Sequence, residues 1–533
     1  MNGAQALLKA LTDAGLDTCF ANPGTSEMQL VYEIGRTDGV RPVLCLQENT
    51  VTGAADGYAR MAGKPAFTLL HVGSGFANGI ANLHNAGRAC TAVVNIVGAN
   101  ATYHQCNYPE HEFVNGKIVD LARVVSHWAQ EARSASELAV LGAFAAHYCS
   151  TGAGKICTLI APTNCHWEAA VAPPVATEPM QTPRTPPETI QEIAALLLNG
   201  KKTGLLLGSH ALHGEGLELA GSIAARTGAD LFGEMFVPRL ARGEGRVSVQ
   251  LIPYLREHAM MLLQPYEQLV LIGAQIPVTT FAYKGKPLVK VPPGCAVNVL
   301  ATVDHDLPAA LSDLAREVGA PSQPAKRRPR STDTPPTGTL NANAIGQSLS
   351  LLLPAEAILV NEGTTVGLAI YNRTEGARAH DYLDAACGGA IGAGLPVALG
   401  AAVACPGRKT VVLQGDGSGM YTSQALWSMA REKADVIVVV LKNDSYAILE
   451  VELARVREGD ANHKMMSMMH LNDPTIDWVR LAEGHGVPGS RATTAEEFHG
   501  QFEAALRNTG PCLIEAQVAD DIRPLVEMVR LMR

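Results

Sequence analysis

The most constraining stretch of the chain is VVLQGDGSGMYTSQALW, residues 411–427, read together with the residues on to 445. An apolar run stops at Gly415-Asp416-Gly417, a helix-like pattern starts directly afterwards, and a second apolar run, DVIVVVL, ends in Lys442-Asn443-Asp444-Ser445. Strand, turn, helix and strand within about thirty residues make one βαβ unit, which forces its two strands parallel. Parallel strands are covered on both faces and so read as continuous apolar runs rather than alternating ones. The same pattern recurs in VRPVLCLQ, PAFTLLHV, TAVVNIVG and ICTLIA, then in TGLLLG and QLVLIGA, then in AILVN, TVVLQG and CLIEAQV. Two proline-rich stretches, 172–188 and 319–339, divide the runs into three groups. The expectation is an α/β protein with three doubly wound parallel-sheet domains, residues 1–171, 189–318 and 340–533, joined by those linkers.

Composition narrows the function. A chain of 533 residues that is 47% hydrophobic and 17% charged can build deep cores. A net charge of -9 argues against nucleic acid as a partner. The one basic run, Lys326-Arg327-Arg328-Pro329-Arg330, sits among prolines and reads as solvated linker. The 11 cysteines are scattered with no C-x-x-C pair, which points to reduced thiols in a cytoplasmic protein rather than a zinc site or a disulfide frame. The start, MNGAQALLKALTDAGLD, is an amphipathic helix pattern and not a signal peptide, and no apolar run is long enough for a membrane.

In parallel sheets ligands bind at the carboxyl ends of strands, which is where Asp416 falls. Gly415 and Gly417 allow a tight turn and close approach of a ligand, and the helix expected to open at Ser418 offers free N–H groups to a phosphate. Because the two strands are parallel, Asp416 and Asn443 emerge on one edge as hard oxygen ligands for Mg²⁺, with phosphate oxygens and water completing the shell. An isolated GDG serves equally well as a helix cap; the matching asparagine favours the metal.

GDG followed after about 26 residues by Asn resembles the thiamine diphosphate signature of the superfamily of acetolactate synthase, pyruvate decarboxylase and benzoylformate decarboxylase. Other segments agree in order: Asn22-Pro23-Gly24-Thr25, LQENTVTGAADGYARMAGKPA (46–66), LLHVGSGFANGIANLHNA (69–86), Asn361-Glu362-Gly363-Thr364-Thr365 and CGGAIGAGLP (387–396). The resemblance implies pyrimidine-binding, central and diphosphate-binding domains, and active sites at subunit interfaces of a homodimer or homotetramer. It also implies thiamine diphosphate and Mg²⁺ as cofactors. Acetolactate synthases often carry FAD on the central domain; GSHALHGEG (208–216) is only a weak glycine-rich loop and does not support it.

Residue roles follow from the resemblance. Glu48, which alone reads as a helix cap, becomes the carboxylate that meets the cofactor's pyrimidine ring and helps form the thiazolium ylid. His71, which alone reads as a core histidine, becomes a proton-transfer group. Thr25 stands where a serine is usual. Asn78, Thr364, Thr365, Gly415, Gly417, Ser418 and Tyr446 contact the cofactor. Gly389 accepts from the pyrimidine amine, and Ile391 is the wedge that bends the cofactor. Asp416, Asn443 and Ser445 hold the metal. His104 lies in a candidate substrate loop.

Gly73-Ser74-Gly75-Phe76-Ala77-Asn78-Gly79 nearly spells a dinucleotide fingerprint, but its spacing is one residue too long and the ribose-binding acid is missing, so an oxidoreductase is the weaker reading. A non-catalytic cofactor-binding regulator would be expected to lack Glu48 or Asp416. Two departures bear on substrate: QIPVTTFAYKGKP carries no histidine where benzoylformate decarboxylase has one, and SYAILEVELARV carries Glu450 and Glu452, read as facing solvent. The expected activity is decarboxylation of a 2-oxo acid through the ylid and an enamine. The alternative is acetolactate synthase-type carboligation.

Overall fold

The structure, a computed structural model, describes residues 1–533 except 172–179, 325, 458, 520–521 and 532–533. The first sheet holds β1 (Thr18–Asn22), β2 (Arg41–Leu44), β3 (Ala66–Leu70), β4 (Val93–Ala99), β5 (Trp128–Glu131) and β6 (Ile156–Pro162), in the order β2-β1-β3-β4-β6-β5. The middle stretch supplies β7 (Thr203–Leu207), β8 (Asp230–Gly233), β9 (Leu240–Arg242), β10 (Gln250–Leu251), β11 (Gln268–Ile272) and β12 (Ala296–Ala301). Five of these form the second sheet, in the order β10-β8-β7-β11-β12. The third sheet holds β13 (Ala357–Glu362), β14 (His380–Asp384), β15 (Thr410–Gly415), β16 (Val436–Lys442), β17 (Gly489–Ala492) and β18 (Cys512–Gln517), in the order β17-β18-β16-β15-β13-β14-β9. Every pairing is parallel except β9 with β14, so the expected class holds: α/β with three essentially parallel sheets. The continuous apolar runs have the predicted cause, since β4, β6 and β16 are buried along their whole length.

Strand β9 escapes sequence reading because it is three residues long and ends in arginine. It is fixed from the side: Arg239 pairs with Asp381 at 2.8 Å, the Val237 amide donates to Asp384 at 3.0 Å, and the Arg242 guanidinium lies 3.7 Å from the Tyr371 ring centroid. The middle stretch is thereby bolted to the third sheet. The basic run is exposed at Lys326, Arg327 and Pro329, as expected of a solvated linker, but its arginines also tie it to the flanking sheets. Arg327 pairs with Glu218, Arg328 with Glu375, and Arg330 donates to the carbonyls of Ser350, Leu351 and Gly376. Of the other expected linker, 172–179 lies outside the described residues and 180–186 is irregular.

The first and third sheets share a core that includes Phe20, Val51 and Leu83 from one and Val360, Leu395 and Val438 from the other. Its centre is the contact between the helices Glu48–Ala62 and Gly394–Ala404. Glycines permit the approach: a Cβ on Gly400 would lie 1.9 Å from the Ala54 carbonyl oxygen, and one on Gly57 would lie 2.1 Å from that of Val397. This contact sets the start of the Glu48 helix beside the 387–394 loop.

Candidate active site

His71 follows the last residue of β3 and caps the helix Val72–Arg88. Its Nδ1 lies 2.8 Å from Oε2 of Glu27, which also accepts the Gly24 amide at 2.7 Å. Gly24 is required here, because a Cβ would lie 2.3 Å from His71 Nδ1. Burial pushes the Glu27 carboxyl up, against the lowering effect of the Gly24 amide and His71. Its Oε1 is buried against Gly98 without a hydrogen-bond partner. Thr25 is exposed beside this pair. The imidazole next to His71 is not His104, which is exposed at the cap of the Gln105–Asn107 turn, but His111, whose ring centroid is 5.1 Å from that of His71. Phe113 packs on Gly73 and Asn100 donates to Glu112 at 2.8 Å, pinning the loop that carries His111. Neither Glu27 nor His111 was singled out from sequence. The available signal for Glu27 was its place three residues after Gly24, reaching back to that amide.

Glu48 is 7% exposed and is not a helix cap: the cap is Gln47, whose side chain accepts the Thr50 amide at 3.0 Å. Its Oε2 accepts from the exposed Asn78 at 3.1 Å, leaving Oε1 beside Gly75. Across the helix contact, Gly389 is exposed with φ of 81° and Ile391 is half-buried. Their loop is held by Glu362 at the end of β13, whose two oxygens accept the Gly392 and Gly394 amides at 2.5 and 2.6 Å. Gln414 also donates to Glu362, and burial pushes that carboxyl up. Thr364 and Thr365 open the helix Thr364–Arg373, with Thr364 exposed.

Asp416 is 4% exposed where β15 ends. Oδ1 accepts the Gly417 amide at 2.9 Å, and Oδ2 accepts those of Asp444 and Asn443 at 2.7 and 3.2 Å. Burial pushes this carboxyl up, and the three amides pull it down. The helix expected after GDG is one turn, Asp416–Gly419, with a longer helix only at Ala425–Glu432, so Ser418 and the glycines form a turn rather than a long helix start. Asn443 accepts the Ser445 amide at 3.1 Å, and Tyr446 packs where a Cβ on Gly417 would sit. The two glutamates expected in solvent are engaged instead: Ser445 donates to Glu450 at 2.5 Å, and Tyr283 donates to Glu452 at 3.1 Å.

These residues suit a bound diphosphate and cation. A buried carboxylate that accepts three backbone amides gains from a metal ion. Among the described residues no group of three or more His, Cys, Asp or Glu side chains could hold a metal unaided, so further oxygens would come from the ligand. A cavity of about 370 Å³ lies elsewhere, between the first and second sheets, lined by Arg88, His127, Ser209 and Glu234 among others. Burial pushes Glu234 up to about 7.

Three essentially parallel sheets, a buried strand-end aspartate beside an asparagine and a buried glutamate opening the helix that packs on Gly394–Ala404 describe a thiamine diphosphate enzyme. The chain belongs to that family: residues 1–120 match the thiamine pyrophosphate enzyme N-terminal TPP binding domain and residues 364–516 the C-terminal TPP binding domain. A Mycobacterium tuberculosis protein, provisionally named acetolactate synthase large subunit IlvX, is 43% identical over 519 residues, covering 97% of this chain and 99% of the relative. Benzoylformate decarboxylase of Pseudomonas aeruginosa is 26% identical over 533 residues, covering 94% and 96%. The solved 4-hydroxybenzoylformate decarboxylase of Rhodococcus jostii shares the fold at TM-score 0.83 and 24% identity, covering 98% of this chain and 100% of that one. Among the described residues no helix is long and apolar enough to cross a membrane.

Proposed function

We propose that this chain is a thiamine diphosphate- and Mg²⁺-dependent decarboxylase of a 2-oxo acid. Asp416, Asn443 and Ser445 would hold the metal, and Thr364, Thr365, Ser418 and Tyr446 the diphosphate end of the cofactor. The bound cofactor supplies a nucleophilic carbon and an electron sink, which lets CO₂ leave. The chain supplies proton handling. Glu48 Oε1, the oxygen not taken by Asn78, is the atom that would exchange a proton with a bound pyrimidine ring. Glu27 Oε2 engages His71 Nδ1, so His71 Nε2 is the atom left to give and remove a proton at the substrate. That pair is the observation that carries the decarboxylase reading, because aldehyde release needs a proton delivered and a proton removed. The three sheets then correspond to pyrimidine-binding (1–171), central (189–318) and diphosphate-binding (340–533) domains. The site is completed in a homodimer or homotetramer in the cytoplasm; exposed Ser74, Ala77, Asn78 and Ala81 on one helix face support a covering second copy.

One observation favours carboligation as the second reading: the 43% identity to a protein named for acetolactate synthase. A mass-spectrometric screen of 2-oxo acids with purified protein, thiamine diphosphate and Mg²⁺ separates the two. Aldehyde equal to CO₂ supports the decarboxylase. CO₂ accompanied by a 2-hydroxy-3-oxo product in place of aldehyde supports the carboligase. Absence of CO₂ from every acid tested refutes both.

A further inference from the structure

Three asparagines of the helix Val72–Arg88, Asn78, Asn82 and Asn85, stand at positions i, i+4 and i+7 and therefore share one face. Asn78 donates to Glu48. Asn82 is fully buried; its amide donates to the Asn49 carbonyl at 2.8 Å and to the Gly392 carbonyl at 3.3 Å, and its backbone N–H donates to Asn49 Oδ1 at 2.8 Å. Asn85, also fully buried, has both faces of its amide filled. Its Oδ1 accepts the Gly388 and Ala390 amides at 3.0 and 3.2 Å, and its Nδ2 donates to the Ala390 carbonyl at 2.7 Å and to Asn82 at 2.9 Å. A side-chain amide has two donors and two acceptor sites, so Asn85 is saturated and tolerates only one arrangement of the loop. Gly388, Ala390 and Gly392 are thus gripped alternately, and Gly389 and Ile391 project between them.

We propose that Asn82 and Asn85 form a positioning ladder that locks the 388–392 loop to the start of the Glu48 helix before any cofactor arrives. Asn82 and Asn85 are positioning residues: they act through the loop backbone. The inference rests on the thiamine diphosphate reading of the same site and adds what pre-forms it. Pre-forming matters because a loop that must be ordered on binding weakens the ligand by the fraction of time it is disordered.

Hydrogen exchange of the cofactor-free protein, read over peptides spanning 386–394, tests the ladder together with calorimetry of thiamine diphosphate in Mg²⁺. In the parent chain the Gly388 and Ala390 amides should be protected. In Asn85→Ala they should exchange roughly tenfold faster or more, since both lose their acceptor. Affinity for thiamine diphosphate should fall about tenfold, with protection in β15 and β16 retained. Asn78→Ala, which removes a bond to Glu48 rather than to the loop, should leave loop exchange unchanged. If the parent's amides exchange at the unprotected rate, the ladder is refuted without any variant, which covers the case that Asn85→Ala does not fold. Parent-like exchange and affinity in Asn85→Ala refute it equally. A parent chain that protects the loop but binds no thiamine diphosphate would overturn the cofactor reading and leave the ladder standing as a structural clamp only.

Discussion

Replacing Glu27 by glutamine probes the proposed proton pair directly. In the parent, one oxygen accepts both the Gly24 amide and His71, at 2.7 and 2.8 Å. A glutamine carbonyl can occupy that place and keep both contacts. Its NH₂ must then sit where Oε1 lies, a buried spot with no partner, so close to Gly98 that a Cβ there would be 1.6 Å from Oε1. The substitution has two costs. The bond to His71 loses its charge, a difference of about 1 to 1.5 kcal/mol between charge-assisted and neutral hydrogen bonds, and the NH₂ is buried unsatisfied. Only the first bears on the transition state, and 1.36 kcal/mol is about tenfold in rate. Glu27→Gln should therefore lower kcat/KM about tenfold and change the shape of its pH profile, because the buried Glu27 carboxyl no longer ionises. Glu27→Ala leaves the Gly24 amide and His71 Nδ1 both unpaired and should cost about a hundredfold. The assay is initial-rate CO₂ release from the best 2-oxo acid between pH 5 and 9, beside calorimetry of thiamine diphosphate, whose affinity should not move. A kcat/KM within twofold of the parent with the same pH profile would refute the proton-pair reasoning. A parallel loss of cofactor affinity would make the pair a packing element.

Asp416→Ala should abolish Mg²⁺-dependent binding of thiamine diphosphate, since the nearby carboxylates of Glu362 and Asp444 are already engaged by Gln414 and Lys442; unchanged affinity by calorimetry would remove the metal assignment. Glu48→Gln should still bind the cofactor while exchange of the cofactor's reactive C–H, followed by NMR, slows by about 10² to 10⁴; parent-like exchange would make Glu48 structural. Glu234 tests burial itself. Its carboxyl is raised from 4.5 to about 7 in the fold, so its contribution to stability is full below pH 4.5 and is lost as pH rises through 7. The loss approaches about 3 kcal/mol. Glu234→Gln should flatten the fall in urea midpoint between pH 5 and 7, and a slope equal to the parent's would show that burial does not govern this group.

How much of this was legible in the sequence depends on whether the signal is local. The sheets were, because a strand buried on both faces must be a continuous apolar run: β4, β6 and β16 could be read on sight. Strand β1, TCFAN, was overlooked, although it lies at the heart of the first sheet between β2 and β3; five residues with a threonine, a cysteine and an asparagine do not stand out from a helix. Asp416 and Asn443 could be set side by side from sequence because one βαβ unit carries both, and in the fold Asp416 Oδ2 accepts the Asn443 amide. Glu450 and Glu452 were misread because the hydroxyls that engage them, on Ser445 and Tyr283, lie in one case beside the helix start and in the other 169 residues away.

The least legible parts are those where a side chain's role is decided by a distant backbone. Glu27 meets His71 across 44 residues, and Asn85 meets the Gly388 amide across 303. Each looks ordinary in its own segment: a glutamate in a short turn, an asparagine inside a helix. What gives them force is burial: Asn85 has every amide position filled, whereas Glu27 pairs one oxygen and leaves the other buried without a partner, and a polar group out of water must find its hydrogen bonds or destabilise the fold. The helix Val72–Arg88 carries both kinds of contact, with His71 at its cap and the asparagine face along its length. The segment that most nearly imitated a dinucleotide fingerprint is thus the start of this helix, and its glycines serve other neighbours. Gly73 admits Phe113, Gly75 admits Glu48, and Gly79 admits Thr52, so the glycine spacing records side chains packed against the helix and not a nucleotide.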